Sequence, residues 1–329
     1  MFFNAKKSIF FVACLTACVS LFAFSKHEYV VESPEVSAEE IPVKIGVLSG
    51  PSGIPSAYLM ENAADSESFE IFAGAALLLP KLINGEIDIG FLPPNVAAKV
   101  HNANGGSVVL AAVAGNGMMS LITKDKNVHS ISDLAGKTVS VAGQGATPDY
   151  MMRYLLSANG INAELDFSIP NAQIAPSLLS DKIEYAVVPE PFATVALMKD
   201  ENVLRAVDIQ SAFAEASGTD GIFPMTVIVV RTDFAKKHTD TVRDFLSKYE
   251  KAAEWTQQNP NLAGDLVEKH GIGLSGAVSA AAIPNCAYTF KNAQNAKADV
   301  EKILKIFLDF DSASIGGKLP DDNFYFKGL

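Results

Sequence analysis

Cysteine is scarce in this 329-residue sequence, which contains only Cys14, Cys18 and Cys286. The first two lie in an apolar N-terminal segment with the features of a removable signal, so at most one unmodified thiol would remain after processing. A disulfide needs two thiols, and none can therefore form within the mature chain. Stability must come from a buried core, and a hydrophobic content of 49% is sufficient to build one.

Positive charge is also limited. Lys and Arg total 26 against 37 Asp and Glu, which gives a formal net charge of −11. Nucleic-acid binding depends on clustered Lys and Arg, and the sequence has no such cluster, which argues against a nucleic-acid partner. Only four arginines occur, and none lies in a loop that follows a predicted strand. A ligand held by a bidentate Arg–carboxylate pair is therefore disfavoured.

Motifs of catalytic and metal sites are missing as well. The five histidines lack the spacing of a metal site, and neither a Gly-x-Ser-x-Gly nor a Walker sequence occurs. Residues 143–148 follow a predicted strand, as a dinucleotide-binding loop would, but Pro148 stands in place of the third glycine. The sequence predicts a protein that is not an enzyme and that holds neither a cofactor nor a metal.

The first 25 residues have the composition of an export signal. Lys6 and Lys7 precede an apolar stretch over residues 8–24, which is shorter than the ~20 apolar residues that a transmembrane helix needs. We therefore expect an exported protein, in the periplasm or on the outer face of the cytoplasmic membrane. Removal of this segment moves the formal charge from −11 to −13.

Two cleavage sites remain open within this signal. Residues 23–25 suit an ordinary signal peptidase, whereas residues 15–18 resemble a bacterial lipobox, which would make Cys18 the lipidated first residue. The first alternative gives a soluble protein, and the second gives one attached to the membrane through its lipid alone. Residues 26–40 are polar and acidic in either case and are predicted to form a linker.

Strands and helices alternate from residue 41 onward. Residues 41–48 are apolar and β-branched, residues 49–53 form a Gly/Pro-rich break, and Pro55 opens a helical stretch. Residues 105–123 are uncharged but glycine-interrupted, which predicts two buried strands around a turn. From residue 239 the pattern is mainly helical. This order predicts an α/β protein whose helices cover mostly parallel sheet.

Five loops follow predicted strands, at the positions where α/β sheets bind ligands. These loops are residues 49–53, 93–95, 115–117, 143–147 and 189–192. Their Gly, Pro, Ser, Thr, Asn and Gln content suits neutral hydrogen bonding to a ligand rather than catalysis. Glu190 is the one charged residue among them and, if it faces the cleft, would prefer an amine or another N–H donor, while Phe192 and Phe223 can stack on a ring. The alternative is that Glu190 is an exposed residue at a helix start and that Phe192 lies in the core.

Six short segments add a more specific pattern. They are GPSG at 50–53, NGEIDIG at 84–90, ISDLAGK at 131–137, GQGATP at 143–148, VPEPF at 188–192 and GGKLPDD at 316–322. Together they resemble the periplasmic solute-binding proteins of nitrate, sulfonate, taurine and thiamine-precursor ABC importers. The resemblance runs from about residue 41 to the C-terminus. It implies a type II periplasmic-binding-protein fold, in which two α/β lobes close on a ligand by hinge motion.

The resemblance also implies a division into lobes and a set of partners. Lobe 1 would comprise residues 41–135 and 225–329, and lobe 2 would comprise residues 136–224. The protein would act as a monomer that binds a small solute and delivers it to a permease with its ATPase. Enzymes that build the thiamine pyrimidine or dehydrate chorismate share this fold, and a surface sensor or adhesin is a further alternative. The cleft loops contain neither the Cys-rich motif nor the substrate-donating His of the pyrimidine synthases.

Positions carried over from the family give the predicted ligand-binding residues. They are Pro51, Ser52, Gly53, Asn95, Asn116, Gln144, Ala146, Thr147, Glu190 and Phe192. A neutral or cationic heteroaromatic solute, such as a thiamine-pyrimidine-like compound, fits Glu190 and the shortage of arginine. A sulfonate, taurine or nitrate bound at helix N-termini is the second expectation.

Overall fold

The computed structural model describes residues 41–328, so the predicted signal, the linker and Cys18 lie outside the described residues. The strands are β1 (Val43–Leu48), β2 (Glu67–Phe72), β3 (Ile89–Leu92), β4 (Val108–Asn116), β5 (Met119–Thr123), β6 (Thr138–Val141), β7 (Glu164–Asp166), β8 (Tyr185–Pro189), β9 (Leu204–Asp208), β10 (Pro224–Arg231) and β11 (Tyr288–Asn292). The α-helices are α1 (Ile54–Glu61), α2 (Ala75–Asn84), α3 (Pro94–Ala103), α4 (Thr147–Asn159), α5 (Asn171–Leu179), α6 (Phe192–Lys199), α7 (Ile209–Ser217), α8 (Thr232–Lys237), α9 (Thr239–Gln258), α10 (Pro260–Lys269), α11 (Gly276–Ala282) and α12 (Ala293–Phe310).

Two separate sheets organise the described chain. The first has six strands in the order β11-β4-β10-β3-β1-β2, and the second has five in the order β7-β6-β8-β5-β9. We call the parts built on them lobe 1 (residues 41–116 and 224–328) and lobe 2 (residues 119–217). Residues 117–118 and 218–223 are the two crossovers that join the lobes. The predicted α/β class with two lobes is confirmed.

The first crossover lies earlier than the sequence predicted. β5 pairs with β8 and β9, so residues 119–123 belong to the second sheet, and the predicted boundary between residues 135 and 136 is wrong. Residues 105–123 do form two buried strands around a break, but the break takes the chain from one sheet to the other. Two fully buried strands look alike in sequence whether or not they share a sheet.

Both sheets are mixed, and the prediction of mostly parallel sheet is also wrong. Within lobe 1, β1 pairs in parallel with β2 and β3, whereas β10 pairs antiparallel with both β3 and β4. Within lobe 2, β5 is antiparallel to both of its neighbours. β10 returns from lobe 2 beside β4, the strand by which the chain left lobe 1, and therefore runs back along it. β11 is also antiparallel to β4.

Several of the helices end at glycine residues. Gly85 and Gly160 end α2 and α4 in the left-handed conformation, with φ of 78° and 65°, which costs glycine no steric strain. The C-terminal helices α9 and α12 pack against β4 of lobe 1. None of the helices between residues 41 and 328 combines the length and apolar character that a membrane span requires.

Candidate functional site

Three strands of lobe 1 end at the edge where the chain crosses to lobe 2. β10 begins at this edge and runs antiparallel to β3 and β4, so β3 and β4 end there, as does β1, which is parallel to β3. Asn116 pairs with Pro224, and Leu92 pairs with Val227. Asn95, in the first turn of α3, and Asn116 therefore flank the start of β10.

Lobe 2 presents a matching edge. β8 ends where β5 begins, with Pro189 opposite Met119, and β6 is parallel to β8. Loops 143–147 and 189–192 therefore lie beside the first crossover. The backbone N–H of Glu190 donates a hydrogen bond of 2.9 Å to the carbonyl oxygen of Met118 in that crossover. The predicted loops of both lobes thus lie at the sheet edges that face the crossovers, and we call the space between these edges the cleft.

Lobe 1 and lobe 2 also meet directly beside this cleft, where α6 contacts α11. Cys286, which follows α11, has a thiol whose pKa is raised to about 12, mainly by burial and further by the nearby charge of Glu190. Burial likewise raises the pKa of Tyr288, and Glu190 adds to that shift. A carboxylate of lobe 2 therefore lies within electrostatic range of two buried groups of lobe 1.

The loop after β1 is fixed by lobe 1 itself. Residues Pro51–Gly53 form a single 3-10 turn before α1, and the phenol of Tyr288 donates a hydrogen bond of 2.7 Å to the carbonyl oxygen of Pro51. Gly53 lies so close to the carbonyl oxygen of Leu48 that a Cβ would overlap it. Ser52 is half-buried in this turn. Sequence reasoning did not select Tyr288, which lies on a short strand that has no clear periodic signal.

Two carboxamides of lobe 1 lack hydrogen-bond partners. The side-chain oxygens of Asn95 and Asn116 are buried and accept no hydrogen bond from the described residues, and Asn95 is only 5% exposed. A buried polar atom left unpaired costs about 1–3 kcal/mol. Two such atoms at one edge of a cleft are typical of a site that a polar ligand completes.

The N-terminus of α4 already carries a carboxylate of its own. The N–H of Gly145 donates a hydrogen bond of 2.9 Å to Asp149 Oδ2, and Asp149 is 3% exposed. Arg153 pairs with the other oxygen of this carboxylate at 2.5 Å. Among the predicted residues here, Thr147 is buried, Ala146 is half-buried and Gln144 is exposed.

Glu190 is not a free carboxylate. It is 1% exposed, its Oε1 lies 2.5 Å from Arg205 Nη2, and its Oε2 accepts a hydrogen bond of 3.2 Å from the backbone N–H of Thr194. Arg205 also donates to Ser120 Oγ and Thr194 Oγ1, each at 2.9 Å. Arg205 lies on β9, an edge strand that the sequence did not predict. It is not in any of the five loops, so it was not expected near Glu190.

The two phenylalanines predicted to stack on a ligand contribute to packing. Phe192 is half-buried at the start of α6 and packs against a core cluster of lobe 2 that includes Ile122 and Val188. Phe223 is fully buried, and its ring meets Phe213 edge to face at 5.5 Å. Phe223 is therefore unavailable to a solute in this arrangement.

Two further features of residues 41–328 bear on ligand binding. No group of three or more His, Cys, Asp and Glu that could hold a metal occurs among them. A surface cavity of about 840 Å³ lies at the far end of lobe 1, lined by Gly106, Thr232, Lys318 and neighbouring residues. It is bounded by one lobe and lies at the opposite ends of β4 and β10 from the predicted loops.

Comparison with known proteins bears on this geometry. The family model described as the NMT1-like family matches residues 63–268, more than half of the chain. The chain belongs to the NMT1-like family. Its fold is similar to that of an ABC transporter structure from Parabacteroides distasonis, with 26% identity, a TM-score of 0.75, and coverage of 86% of this chain and 98% of that one.

Two other solved structures share the fold at lower identity. The periplasmic aliphatic sulphonate binding protein SsuA from Escherichia coli is 16% identical, with a TM-score of 0.71 over 88% of this chain and 98% of its own. The periplasmic nitrate-binding protein NrtA from Synechocystis PCC 6803 is 14% identical, with a TM-score of 0.60 over 84% of each chain. A search of curated proteins found no match. The periplasmic-binding-protein fold predicted from the sequence is confirmed.

Proposed function

We propose that this chain is the extracytoplasmic solute-binding subunit of an ABC importer and that it captures one small molecule between its lobes. A solute in the cleft would contact both lobes, so its binding would favour the closed arrangement. The permease with its ATPase would then recognise that arrangement. The chain itself performs no reaction in this proposal.

The observation that carries the proposal is the meeting of two loop edges, one from each lobe, at the crossovers. The lobe 1 edge includes the unpaired carboxamides of Asn95 and Asn116, and the lobe 2 edge includes loops 143–147 and 189–192. Similarity to the ABC transporter of Parabacteroides distasonis over 86% of the chain supports the same function.

The solute class that we favour is a neutral or cationic heteroaromatic compound of the thiamine-pyrimidine kind. Support comes from the polar but largely uncharged loops that meet at the cleft. Sulfonates, taurine and nitrate are the competing class, since the structural relatives include binding proteins for a sulphonate and for nitrate.

The proposal is tested by asking what the native protein retains. We expect mass spectrometry of an extract from gently purified protein to reveal one stoichiometric small molecule, which should raise the melting temperature when added back to stripped protein. A protein that retains nothing, and whose melting temperature no vitamin, pyrimidine, sulfonate or amino acid changes, would contradict it.

We also propose that residues 1–25 direct export, with the two cleavage sites as alternatives. Intact-mass analysis of the mature protein distinguishes them. A diacylglyceryl group on Cys18 would establish the lipid-anchored form, and a free N-terminus at Lys26 would establish the soluble form. Retention of Lys6 and Lys7 in the mature protein would contradict export by this signal.

A further inference from the structure

The charged side chains near the cleft cancel one another. Glu190 is the one charged residue in the five loops that follow the predicted strands, and Arg205 lies 2.5 Å from it. Ser120 and Thr194 hold the guanidinium in place, so the pair is a fixed part of lobe 2. Glu190 Oε1 makes no well-directed hydrogen bond, but the opposite charges at 2.5 Å leave the pair with little net charge for a ligand.

The groups that face this pair from lobe 1 are also neutral. Cys286 and Tyr288 both lie within its electrostatic range, and burial raises the pKa of each, so both keep their protons at neutral pH. The backbone of Met118 and the amide of Thr194 complete its surroundings. The Glu190–Arg205 pair is therefore surrounded by uncharged groups from both lobes.

An anion has no evident place at the start of α4. Helix N-termini bind anions through unpaired N–H groups and a partial positive charge. The Asp149 carboxylate already accepts the N–H of Gly145 in the preceding loop and is itself 3% exposed. This carboxylate therefore already takes an N–H that an anion would use, and Arg153, which is paired with it, has little charge left for a sulfonate or nitrate.

Apart from Glu190 Oε1, the buried side-chain atoms of the five loops that lack a hydrogen-bond partner belong to two carboxamides. Asn95 and Asn116 each present a carbonyl acceptor and an N–H₂ donor, and their oxygens are buried without partners among the described residues. Such a side chain pairs best with an adjacent donor and acceptor, as asparagine does with the amino group and ring nitrogen of adenine. Amides, lactams and amino-substituted nitrogen rings have such an edge.

From these contacts we infer that the solute carries no net charge at neutral pH, that Asn95 and Asn116 bind its amide-like edges, and that the Glu190–Arg205 pair sets this charge selectivity. The inference rests on the proposed function, which it narrows from neutral or cationic compounds to neutral ones. Glu190 acts here as a positioning and charge-balancing residue rather than as the acceptor of a cationic solute.

The test uses probes of equal shape and different charge. Benzamide, benzoate and benzamidine are isosteric and carry zero, negative and positive charge, and cytosine adds a neutral ring with adjacent donor and acceptor. We expect calorimetric titration of the stripped full-length protein to show binding of cytosine or benzamide and at least tenfold weaker binding of benzoate and benzamidine. Binding of charged probes alone would overturn the inference.

Variants separate the two parts of the inference. Asn95→Ala and Asn116→Ala should each weaken binding of the neutral probe at least tenfold without lowering the melting temperature, because neither side-chain oxygen has a partner to lose. Asn104→Ala, at the exposed end of the same helix as Asn95, is the control and should bind as the wild type does. Unchanged affinity in both cleft variants would overturn the role of the carboxamides.

Glu190→Gln leaves Arg205 unpaired and should raise affinity for benzoate relative to benzamide at least tenfold. Arg205→Gln should shift preference toward benzamidine, so a folding failure in one variant leaves the other as a test. Unchanged charge preference in a folded variant would overturn the role of the pair. A wild-type protein that closes on methanesulfonate alone would overturn the inference but keep the proposed function. A protein that binds no probe, retains no small molecule on purification and is stabilised by no compound of the broader panel would overturn both.

Discussion

The phenol of Tyr150 donates a hydrogen bond of 3.0 Å to Asp311 Oδ2 and thereby joins the two lobes. Tyr150 lies in the first turn of α4 in lobe 2, just after the predicted binding loop, and Asp311 follows α12 of lobe 1. The ring of Tyr150 also packs at 4.9 Å from that of Phe307. The helix that follows loop 143–147 is thus attached to the opposite lobe by one hydrogen bond and one ring contact.

Tyr150→Phe should therefore keep the ring contact with Phe307 and lose only the hydrogen bond. We expect the free energy of unfolding to fall by about 1 kcal/mol, the usual net contribution of such a bond. Chemical denaturation measures it. Tyr154→Phe is the matched control, because the Tyr154 ring packs on Phe213 and its hydroxyl makes no hydrogen bond to residues 41–328. Equal losses in both variants would contradict an interlobe role for the Tyr150 hydroxyl.

Gly117→Ala should strain the hinge region. Gly117 lies in the first crossover against the ring of Phe223 in the second, and a Cβ at this position would overlap that ring. Since Phe223 is fully buried and cannot swing away, we expect a loss of about 1–3 kcal/mol in unfolding free energy. Gly74→Ala, where a Cβ would meet nothing, should lose less, because it removes only the preference for glycine over alanine at the N-cap of α2. Similar losses of unfolding free energy at the two glycines would contradict tight packing between Gly117 and the Phe223 ring.

Periodicity and punctuation were sufficient to predict much of the local structure. The strand predicted over 41–48 corresponds to β1, and the helical stretch predicted to open at Pro55 is α1, which begins at Ile54. The sequence could not predict which strands pair, because β4 and β5 are both buried. The glycine-rich break between them could equally be a turn within one sheet or a crossover between two. The lobe boundary and the strand directions depend on those pairings.

The candidate site was only partly readable for a related reason. Loops after strands were found from local sequence, and Asn95, Asn116 and Glu190 lie at the sheet edges that face the crossovers. The partner of Glu190 was missed because Arg205 lies 15 residues further on, on a half-buried edge strand without clear alternation. A charge balance depends on side chains from separate elements, and spacing along the chain does not reveal it.

Cys286 should resist alkylation in the native protein. Its pKa is raised from an ordinary value of 9.0 to about 12, so near pH 8 the reactive thiolate would be about a thousandfold rarer than in the unfolded chain. Its 4% exposure should slow the reaction further. We expect peptide mapping after iodoacetamide treatment to show little labelling at pH 8, more as the pH rises toward 12, and rapid labelling in guanidinium chloride.

A thiol introduced by Ala103→Cys, at the exposed end of α3, is the control and should react quickly in the native state. Native labelling of Cys286 at a rate near that control would mean that the apolar cluster around Ile283 and Tyr288 does not cover the thiol.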